Sequence, residues 1–292
     1  MAGKIRFAPS PTGFLHEGHL LSALYVWAAA RKWGLKIHLR IEDHDQSRAR
    51  QAYIDGIYED LAWFGFHYDS ESIQSRRDSI YKTALEKLES QQLVYPCYCS
   101  RKQLEAENPK SETGEIVYQG KCRFLDKRGK TRDKSDEPHN LRFVVPDKVI
   151  HWHDLRLGDF DENPKKQCGD FPIRDRDNQW TYQFAVCVDD IEEGITHIVR
   201  GEDIRSSTAR QIALMQALDR KDMPIYLHHA LIVDQNGKKL SKRELAYSLR
   251  QDREAGKTAE SLLGEVCFKA KMQAENNPLS LESAISLIQS KI

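Results

Sequence analysis

The chain has 292 residues, of which 40% are hydrophobic, so it can bury one or two cores and is not a disordered protein. Its 44 basic and 44 acidic residues cancel, so a nucleic acid would have to be held by local basic patches rather than by an overall positive field. The longest mostly apolar run, residues 20–30, is about half the roughly 20 residues that cross a bilayer, and no apolar signal segment follows MAGKIRF, so we expect a cytoplasmic protein with no membrane partner.

The first third of the chain alternates strands and helices. Residues 4–7 predict a strand, residues 18–33 a helix and residues 36–41 a second strand. Two further helices are indicated by apolar residues at helical spacing (Ile54, Ile57, Leu61 and Phe64; Ile80, Ala84 and Leu88). This βαβα order predicts a parallel sheet with helices on both faces and a ligand at the carboxyl ends of the strands.

The alternation breaks at residues 95–172, which contain clustered cysteines and many Gly, Pro and Asp residues. We interpret this segment as an inserted domain, with one possible strand at residues 141–146. Residues 121–134 carry seven basic and two acidic side chains. Such a run is either a nucleic-acid contact or an ordinary solvated loop.

After the insertion the α/β order resumes. TYQFAVCVDD predicts a helix, THIVRGED a strand, SSTARQIALMQALD a helix with a serine N-cap, and IYLHHALIV a strand. The 49 residues that follow Arg243 are helical in pattern. The predicted domains are two halves of one Rossmann-like catalytic domain, an insertion between them, and a loop with a helical C-terminal region (1–94 and 173–232; 95–172; 233–292).

Two motifs near opposite ends of the chain suit a nucleoside triphosphate. In RFAPSPTGFLHEGH, residues 6–19, two prolines and a glycine predict a strand-to-helix turn. His16 and His19 flank Gly18 at the start of the helix, where N–H groups can hold phosphate oxygens. In GKKLSKR, residues 237–243, ammonium groups cluster after the last predicted strand. Each motif is weak alone, and together they favour nucleotide activation.

Five ordered segments resemble the glutamyl branch of the class I aminoacyl-tRNA synthetases. They are RFAPSPTGFLHEGH, RIEDHD, TYQFAVCVDD, IVRGED and KKLSKR, and they span residues 6–243. HEGH and KLSKR stand where that family has its HIGH and KMSKS signatures. The resemblance implies a dinucleotide-type fold that condenses glutamate with ATP to glutamyl-adenylate, releases pyrophosphate and passes glutamate to a tRNA hydroxyl.

The resemblance assigns ATP to both signatures. Lys242, the second lysine of the KMSKS-like segment, is the first candidate for a catalytic group, with His16 and His19. Adenylation needs no covalent enzyme intermediate, so positioning and neutralisation of the departing pyrophosphate would carry the catalysis, with magnesium bound to the ATP. The implied ATP-binding residues are His16, Gly18, His19, Lys239, Ser241 and Lys242.

The same resemblance places six residues around glutamate. An anionic side chain calls for an arginine fork, the α-amino group calls for a carboxylate, and a tyrosine hydroxyl can add orientation. Tyr182 has an alternative interpretation as a core tyrosine on an apolar helix. The implied glutamate-binding residues are Arg6, Ala8, Ser10, Glu42, Tyr182 and Arg200.

Three of the six cysteines fall in the pattern C-x-C-x18-Y-x3-C. Three thiolates are most of a tetrahedral zinc site, and unmetalled thiols are the alternative. The segment resembles the glutamyl-queuosine tRNA(Asp) synthetases, which have a tyrosine at the fourth position. The resemblance therefore implies one structural zinc, with Cys97, Cys99, Tyr118 and Cys122 as ligands. The other cysteines are interpreted as core residues (Cys168, Cys187, Cys267).

The resemblance to the glutamyl-queuosine tRNA(Asp) synthetases also implies a substrate. Members of this branch are truncated relatives of the tRNA(Glu)-charging enzymes, and 49 residues are too few for the extra anticodon-reading domain of those enzymes. The resemblance implies a monomeric enzyme that activates glutamate without tRNA and attaches it to queuosine in the anticodon loop of tRNA(Asp), with the basic run as its cradle. Two alternatives stay open: a compact enzyme that charges the 3′ end of tRNA(Glu), and a non-catalytic glutamate or nucleotide sensor.

Two positions depart from the family signatures. Glu17 lies between the two histidines of HEGH, and members of this branch often lack the second histidine, which leaves the role of His19 in ATP binding open. Arg243 replaces the final serine of KMSKS and leaves Lys242 in place.

Overall fold

The computed structural model describes residues 3–127, 137–232 and 247–292. The strands are β1 (Lys4–Phe7), β2 (Lys36–Ile41), β3 (Ser70–Ile73), β4 (Val94–Cys97), β5 (Asn140–Phe143), β6 (Ile150–Asp154), β7 (Gly158–Glu162), β8 (Pro172–Arg174), β9 (His197–Gly201) and β10 (Ile225–His229). The helices are α1 (Glu17–Trp33), α2 (Gln51–Phe64), α3 (Asp78–Ser90), α4 (Arg101–Glu107), α5 (Lys121–Lys127), α6 (Pro164–Gln167), α7 (Tyr182–Glu192), α8 (Thr208–Ala217), α9 (Leu249–Glu254), α10 (Ala259–Lys269) and α11 (Leu281–Gln289). Short 3-10 helices occupy Gln74–Arg76 and Glu202–Ser207.

The central sheet has seven strands in the order β3-β2-β1-β9-β10-β6-β7. Its strands are parallel apart from the final hairpin, in which β7 runs antiparallel to β6. In the sheet, β2 and β3 lie on one side of β1, whereas β9 and β10 lie on the other side. Such a reversal of strand order opens a crevice at the carboxyl ends of the strands. The predicted α/β fold with a dominant parallel sheet is confirmed.

The elements predicted from periodicity are also confirmed, with small shifts at their ends. β1 and β2 match their predicted ranges, and α1 begins at Glu17, one residue earlier than predicted. β3 has no sequence signal because Ser70 and Glu71 are exposed and give no apolar alternation. A serine, Ser207, stands at the N-cap of α8 as predicted, but it makes no capping hydrogen bond, and its hydroxyl instead accepts from the Gln183 amide at 2.9 Å.

Two apolar clusters support the sheet. One is formed by α1, the strands β1 and β2, α2 and the C-terminal helices, with Leu24 and Ala28 completely buried. The other joins α3, α7 and α8, with Phe184 and Leu214 completely buried. Because α11 packs along α1, the helical C-terminal region shares the core of the central sheet. Within the described ranges, no helix combines the length and apolar character required to cross a membrane.

The segment predicted as an insertion contributes to two sheets. β4, β5 and β8 form a separate three-stranded antiparallel sheet, which includes the strand predicted near residues 141–146. The hairpin of β6 and β7 instead extends the central sheet through β10, where Tyr226 pairs with Asp154. The prediction that residues 95–172 form a separate inserted domain stays a prediction. The β6–β7 hairpin within this segment belongs to the central sheet.

Candidate active site and metal centre

A cavity of about 400 Å³ opens at the carboxyl ends of the central strands. The loop after β1, the start of α1 and the ends of β9 and β10 form its walls. Among the predicted site residues, those lining it are Arg6, Ala8, His16, Gly18, His19, Glu42, Tyr182 and Arg200. Ser10 is not a lining residue, and the predicted Lys239, Ser241 and Lys242 lie outside the described residues.

A completely buried arginine organises one wall of the cavity. The Arg40 guanidinium donates to Glu42 at 3.1 Å, to Asp190 at 2.8 Å and to Glu193 at 2.9 Å. Burial raises the pKa of Glu42 even though Arg40 opposes this shift. Asp190 shows the opposite balance, because the Arg6 and Arg40 guanidiniums outweigh burial and lower its pKa. Arg40 therefore holds acids that come from distant parts of the chain.

Arg6 and Glu42 both line this part of the cavity. Arg6 donates from Nε to Asp190 at 3.1 Å and from a terminal nitrogen to the Val199 carbonyl at 3.4 Å. The backbone N–H of Glu42 donates to the Pro9 carbonyl at 3.0 Å and so ties the loop after β1 to the end of β2. Both side chains are almost fully buried and reach the cavity. The arrangement offers a carboxylate and a fixed guanidinium to one small ligand.

Arg200 approaches the cavity from β9 with neutral partners. It donates to His228 Nε2 at 3.0 Å, to the Gln211 side-chain oxygen at 2.7 Å and to the Thr208 hydroxyl at 2.8 Å. Tyr182 also lines the cavity, at the first turn of α7, which supports a site residue over an ordinary core tyrosine. Burial and the nearby Glu42 carboxylate raise the pKa of Tyr182, so its hydroxyl stays protonated.

The two histidines of HEGH cap the helix that follows them. His16 Nδ1 accepts from Gly18 N–H at 3.1 Å, and His19 Nδ1 accepts from His16 N–H at 3.2 Å. Because each Nδ1 is an acceptor, the ring proton of each imidazole lies on Nε2. Burial, and then His16, lower the pKa of His19 to about 3. His19 thus presents a neutral N–H donor at the N-terminus of α1.

Gly18 has a structural reason for being glycine. A Cβ at this position would lie 3.0 Å from the His16 ring, closer than ordinary van der Waals contact. The glycine therefore makes room for the capping imidazole, in addition to leaving the helix N-terminus open to the cavity.

Three buried cysteines, located at the end of β4, just after it and in α5, form a separate cluster. The sulfurs of Cys97, Cys99 and Cys122 lie within 4.8 Å of one another, and those of Cys99 and Cys122 are 3.5 Å apart. The Tyr118 hydroxyl lies 3.4 Å from the Cys97 sulfur and 3.5 Å from the Cys99 sulfur. Sulfurs bound to one tetrahedral zinc are about 3.8 Å apart, so this donor set fits the ion.

The surroundings of the cluster favour a thiolate at Cys97, whereas the hydrogen bond to Cys97 and burial raise the pKa of Cys122. A hydrogen bond from Cys122, together with the Arg142 guanidinium and against the effect of burial, lowers the pKa of Cys97 to about 4. The Arg142 guanidinium also lies 4.1 Å from the centre of the Tyr118 ring. Burial instead raises the pKa of Cys168 to about 11, consistent with its interpretation as a core residue. The cluster could therefore hold a metal ion.

Residues 4–284 match the family of class I tRNA synthetases (E and Q), catalytic domain. The chain is 42% identical over 249 residues to the glutamyl-Q tRNA(Asp) synthetase of Neisseria meningitidis serogroup B, which covers 85% of this chain and 83% of that protein. It is 36% identical over 295 residues to the glutamyl-Q tRNA(Asp) synthetase of Nitratidesulfovibrio vulgaris, which covers 97% of this chain and 91% of that protein. The chain belongs to the glutamyl-Q tRNA(Asp) synthetase family of class I tRNA ligases.

A solved structure supports the fold of this synthetase over nearly its whole length. The glutamate-tRNA synthetase of Elizabethkingia anophelis superposes with a TM-score of 0.80 and 28% identity. The superposition covers 98% of this chain and 65% of that chain, so the synthetase described here spans about two thirds of that neighbour's length.

Several cavity residues of the synthetase were missed from its sequence. Ser22 donates to His229 Nε2 at 2.8 Å, and both side chains line the cavity beside Asp203. Burial lowers the pKa of His229 to about 4, so it is neutral. His229 is the last residue of β10, and the rule that ligands lie at the carboxyl ends of strands was the signal that could have found it.

Glu17, the unusual residue of HEGH, is held by the C-terminal region. Lys269 donates to Glu17 at 2.7 Å and to Glu265 at 2.8 Å, and Lys257 joins Glu265 to Asp252 at 2.9 and 3.0 Å. Lys269 therefore neutralises a carboxylate beside the two histidines and links α1 to α10.

We expect Glu17→Gln to lower the free energy of unfolding by about 1 kcal/mol, because a partly buried charge pair is lost while the shape is kept. Urea unfolding at low and high salt measures this change. Glu282→Gln is the matched control, since Glu282 is 71% exposed in its pair with Arg31. Equal effects of the two substitutions would show that the Glu17 contact adds nothing to stability.

Proposed function

We propose that this synthetase activates glutamate with ATP to glutamyl-adenylate, without tRNA, and transfers the glutamate to queuosine in the anticodon loop of tRNA(Asp). The observation that carries the proposal is the cavity at the carboxyl ends of the strands, because it joins the HEGH helix terminus to two arginines and a buried carboxylate. The names of the relatives support the tRNA part of the proposal.

Charge supports glutamate as the ligand. Arg6 and Arg40 contact carboxylates, whereas no carboxylate of the described residues lies within 4.0 Å of the Arg200 guanidinium. A buried cation without an acidic partner suits an anionic substrate side chain. The Glu42 carboxylate, which also lines the cavity and accepts from Arg40, suits the α-amino group of the substrate. Arg6, Ala8, Ser10 and Tyr182 are proposed to complete the glutamate site.

The N-terminus of α1 supports ATP as the second substrate. His19 lines the cavity at this helix start, and its Nε2–H group can donate to a phosphate oxygen. Neutral imidazoles donate without needing protonation, so this contact should persist at neutral pH. Lys239, Ser241 and Lys242 are proposed to complete the phosphate site from the KMSKS-like segment, with magnesium bound to the ATP.

Lys242→Ala is expected to lower the rate of glutamate-dependent ATP–pyrophosphate exchange by about 10²- to 10³-fold, as removal of one preorganised transition-state donor does in other enzymes. Unfolding by urea is expected to change little if Lys242 acts on the substrate rather than on the fold. Lys221→Ala, which removes an exposed lysine between α8 and β10, is the control. Parent-like exchange in the Lys242 variant would remove this residue from the catalytic assignment.

The test of the function is transfer of labelled glutamate, with ATP and magnesium, to purified tRNA(Asp) with and without queuosine. Labelling of queuosine-containing tRNA(Asp) alone is the expected result. tRNA(Glu) is included because the solved neighbour is a glutamate-tRNA synthetase. Labelling of tRNA(Glu) would make this a compact charging enzyme. Absence of both labelling and pyrophosphate exchange would favour a glutamate or nucleotide sensor.

A further inference from the structure

Behind Arg200, two buried side chains form a line of hydrogen bonds that leads to the cavity. Asp154, at the end of β6, accepts from His228 Nδ1 at 2.7 Å, and His228 Nε2 accepts from Arg200 Nε at 3.0 Å. Asp154 and His228 are both completely buried. The three residues come from three neighbouring strands of the central sheet, β6, β10 and β9, so the backbone fixes their spacing.

The hydrogen bonds define the protonation of His228. Nε2 faces a guanidinium N–H, which can only donate, so Nε2 carries no proton and the imidazole is neutral with its proton on Nδ1. Asp154 accepts a hydrogen bond from His228 Nδ1–H. Its oxygens also accept from the backbone N–H groups of His228, Arg156 and Leu157 at 2.9 to 3.0 Å. These four donors hold Asp154 as a carboxylate in a fixed orientation.

Arg200 retains donors for a ligand in this arrangement. A guanidinium has five N–H groups, and His228, Gln211 and Thr208 each accept one. One N–H on each terminal nitrogen is left, which is the pair that a carboxylate can bind bidentately. The three acceptors are neutral, so they orient the guanidinium without cancelling its charge.

We propose that His228, fixed in the Nδ1–H form by Asp154, is a positioning residue that aims the charged Arg200 fork at the side-chain carboxylate of the amino-acid substrate. This proposal rests on the proposed glutamate activity. A carboxylate at position 228 would also orient Arg200 but would neutralise it, as Asp190 does for Arg6. Neutral orientation gives a site that prefers an anionic side chain over its uncharged amide analogue, glutamine.

Two substitutions test the hydrogen bonds of His228 Nδ1 and Nε2 separately. In His228→Asn, the amide N–H replaces Nδ1–H toward Asp154, and nothing replaces the acceptor for Arg200. In His228→Gln, the longer side chain places an oxygen near the Nε2 position, so that acceptor is restored. Pyrophosphate exchange with glutamate, glutamine and ATP gives kcat and each KM for the parent and both variants.

We expect His228→Asn to raise the KM for glutamate about tenfold while the KM for ATP stays within about twofold, because one hydrogen bond to a charged group is lost on the glutamate side only. Preference for glutamate over glutamine should fall in parallel, and His228→Gln should recover most of both. A His228→Asn enzyme with the parent's KM for glutamate would overturn the proposal. So would equal damage by the two substitutions, or equal rises in the KM for glutamate and for ATP.

A second measurement does not depend on activity. Nitrogen NMR of the parent protein labelled at histidine, with His228 assigned from the Gln variant, should show a protonated Nδ1 and an unprotonated Nε2 at pH 7. An imidazolium or the Nε2–H form would refute the positioning role. If the parent shows the Nδ1–H form but no exchange with glutamate, the proposed function fails and the hydrogen-bonded line behind Arg200 stands.

Discussion

Replacing Arg40 by methionine is expected to lower the free energy of unfolding of this synthetase by about 3–5 kcal/mol. Methionine preserves much of the side-chain volume but removes the guanidinium that the nearly fully buried carboxylates of Asp190 and Glu193 share. Arg6 remains a partner of Asp190, so the charge is left partly unpaired. Uncompensated buried charge is among the few single changes that destabilise a protein this strongly. Urea unfolding followed by circular dichroism measures the difference.

Arg31→Met is the matched control for this substitution. Arg31 also pairs with an acid, Glu282, but its side chain is 45% exposed and Glu282 is 71% exposed. Exposed pairs contribute about 0–1 kcal/mol, so this variant should unfold close to the parent. If Arg40→Met and Arg31→Met unfolded at the same urea concentration, the buried acids would have to be stabilised by groups other than Arg40.

The same network predicts a pH dependence. One hydrogen bond from His38 and the charge of Arg40 outweigh burial and lower the pKa of Glu193 to about 2 from its ordinary value of 4.5. A lowered folded-state pKa stabilises the protein above the unfolded value, and this contribution is lost as pH falls from about 4.5 through 2. The stability gap between the parent and Arg40→Met should therefore narrow in that window, as the acids that lost their partner become protonated.

Local patterns predicted most of the catalytic core. Apolar spacing located β1, α1, β2 and α2, because a helix or strand is decided largely by residues within a few positions of each other. The RFAPSPTGFLHEGH segment and Arg200 at β9 line one cavity, as the rule that the carboxyl ends of parallel strands share an edge of the sheet predicts.

Long-range contacts explain what the sequence did not reveal. Arg40 and Asp190 are 150 positions apart, and no local spacing marks them as partners. The same holds for Asp154 and His228, which are 74 positions apart, and for the hairpin that carries Asp154 into the central sheet. The Glu17 contact with Lys269 joins the first helix to the penultimate one, and a carboxylate within HEGH gave no hint of its cation.

Cys99→Ser is expected to release the metal and to loosen the segment around residues 95–172. We propose that the cluster of Cys97, Cys99, Tyr118 and Cys122 holds one structural zinc, because three buried thiols and a phenol converge at tetrahedral spacing. Structural zinc contributes about 10–16 kcal/mol in small zinc-binding peptides, so loss of one thiolate should be felt strongly. Metal analysis of the parent should give about one zinc per chain, and the variant should give much less.

Cys168→Ser is the matched control, since Cys168 is also buried but donates its S–H to the Pro164 carbonyl, a contact that a serine hydroxyl can keep. It should retain zinc. None of the four proposed ligands lines the 400 Å³ cavity, so Cys99→Ser should reduce transfer of glutamate to tRNA more than pyrophosphate exchange. Limited proteolysis should locate new cleavage between residues 95 and 172. Equal zinc in the Cys99 and Cys168 variants would refute the site, and an equal loss of exchange and transfer would tie the metal to the catalytic sheet instead.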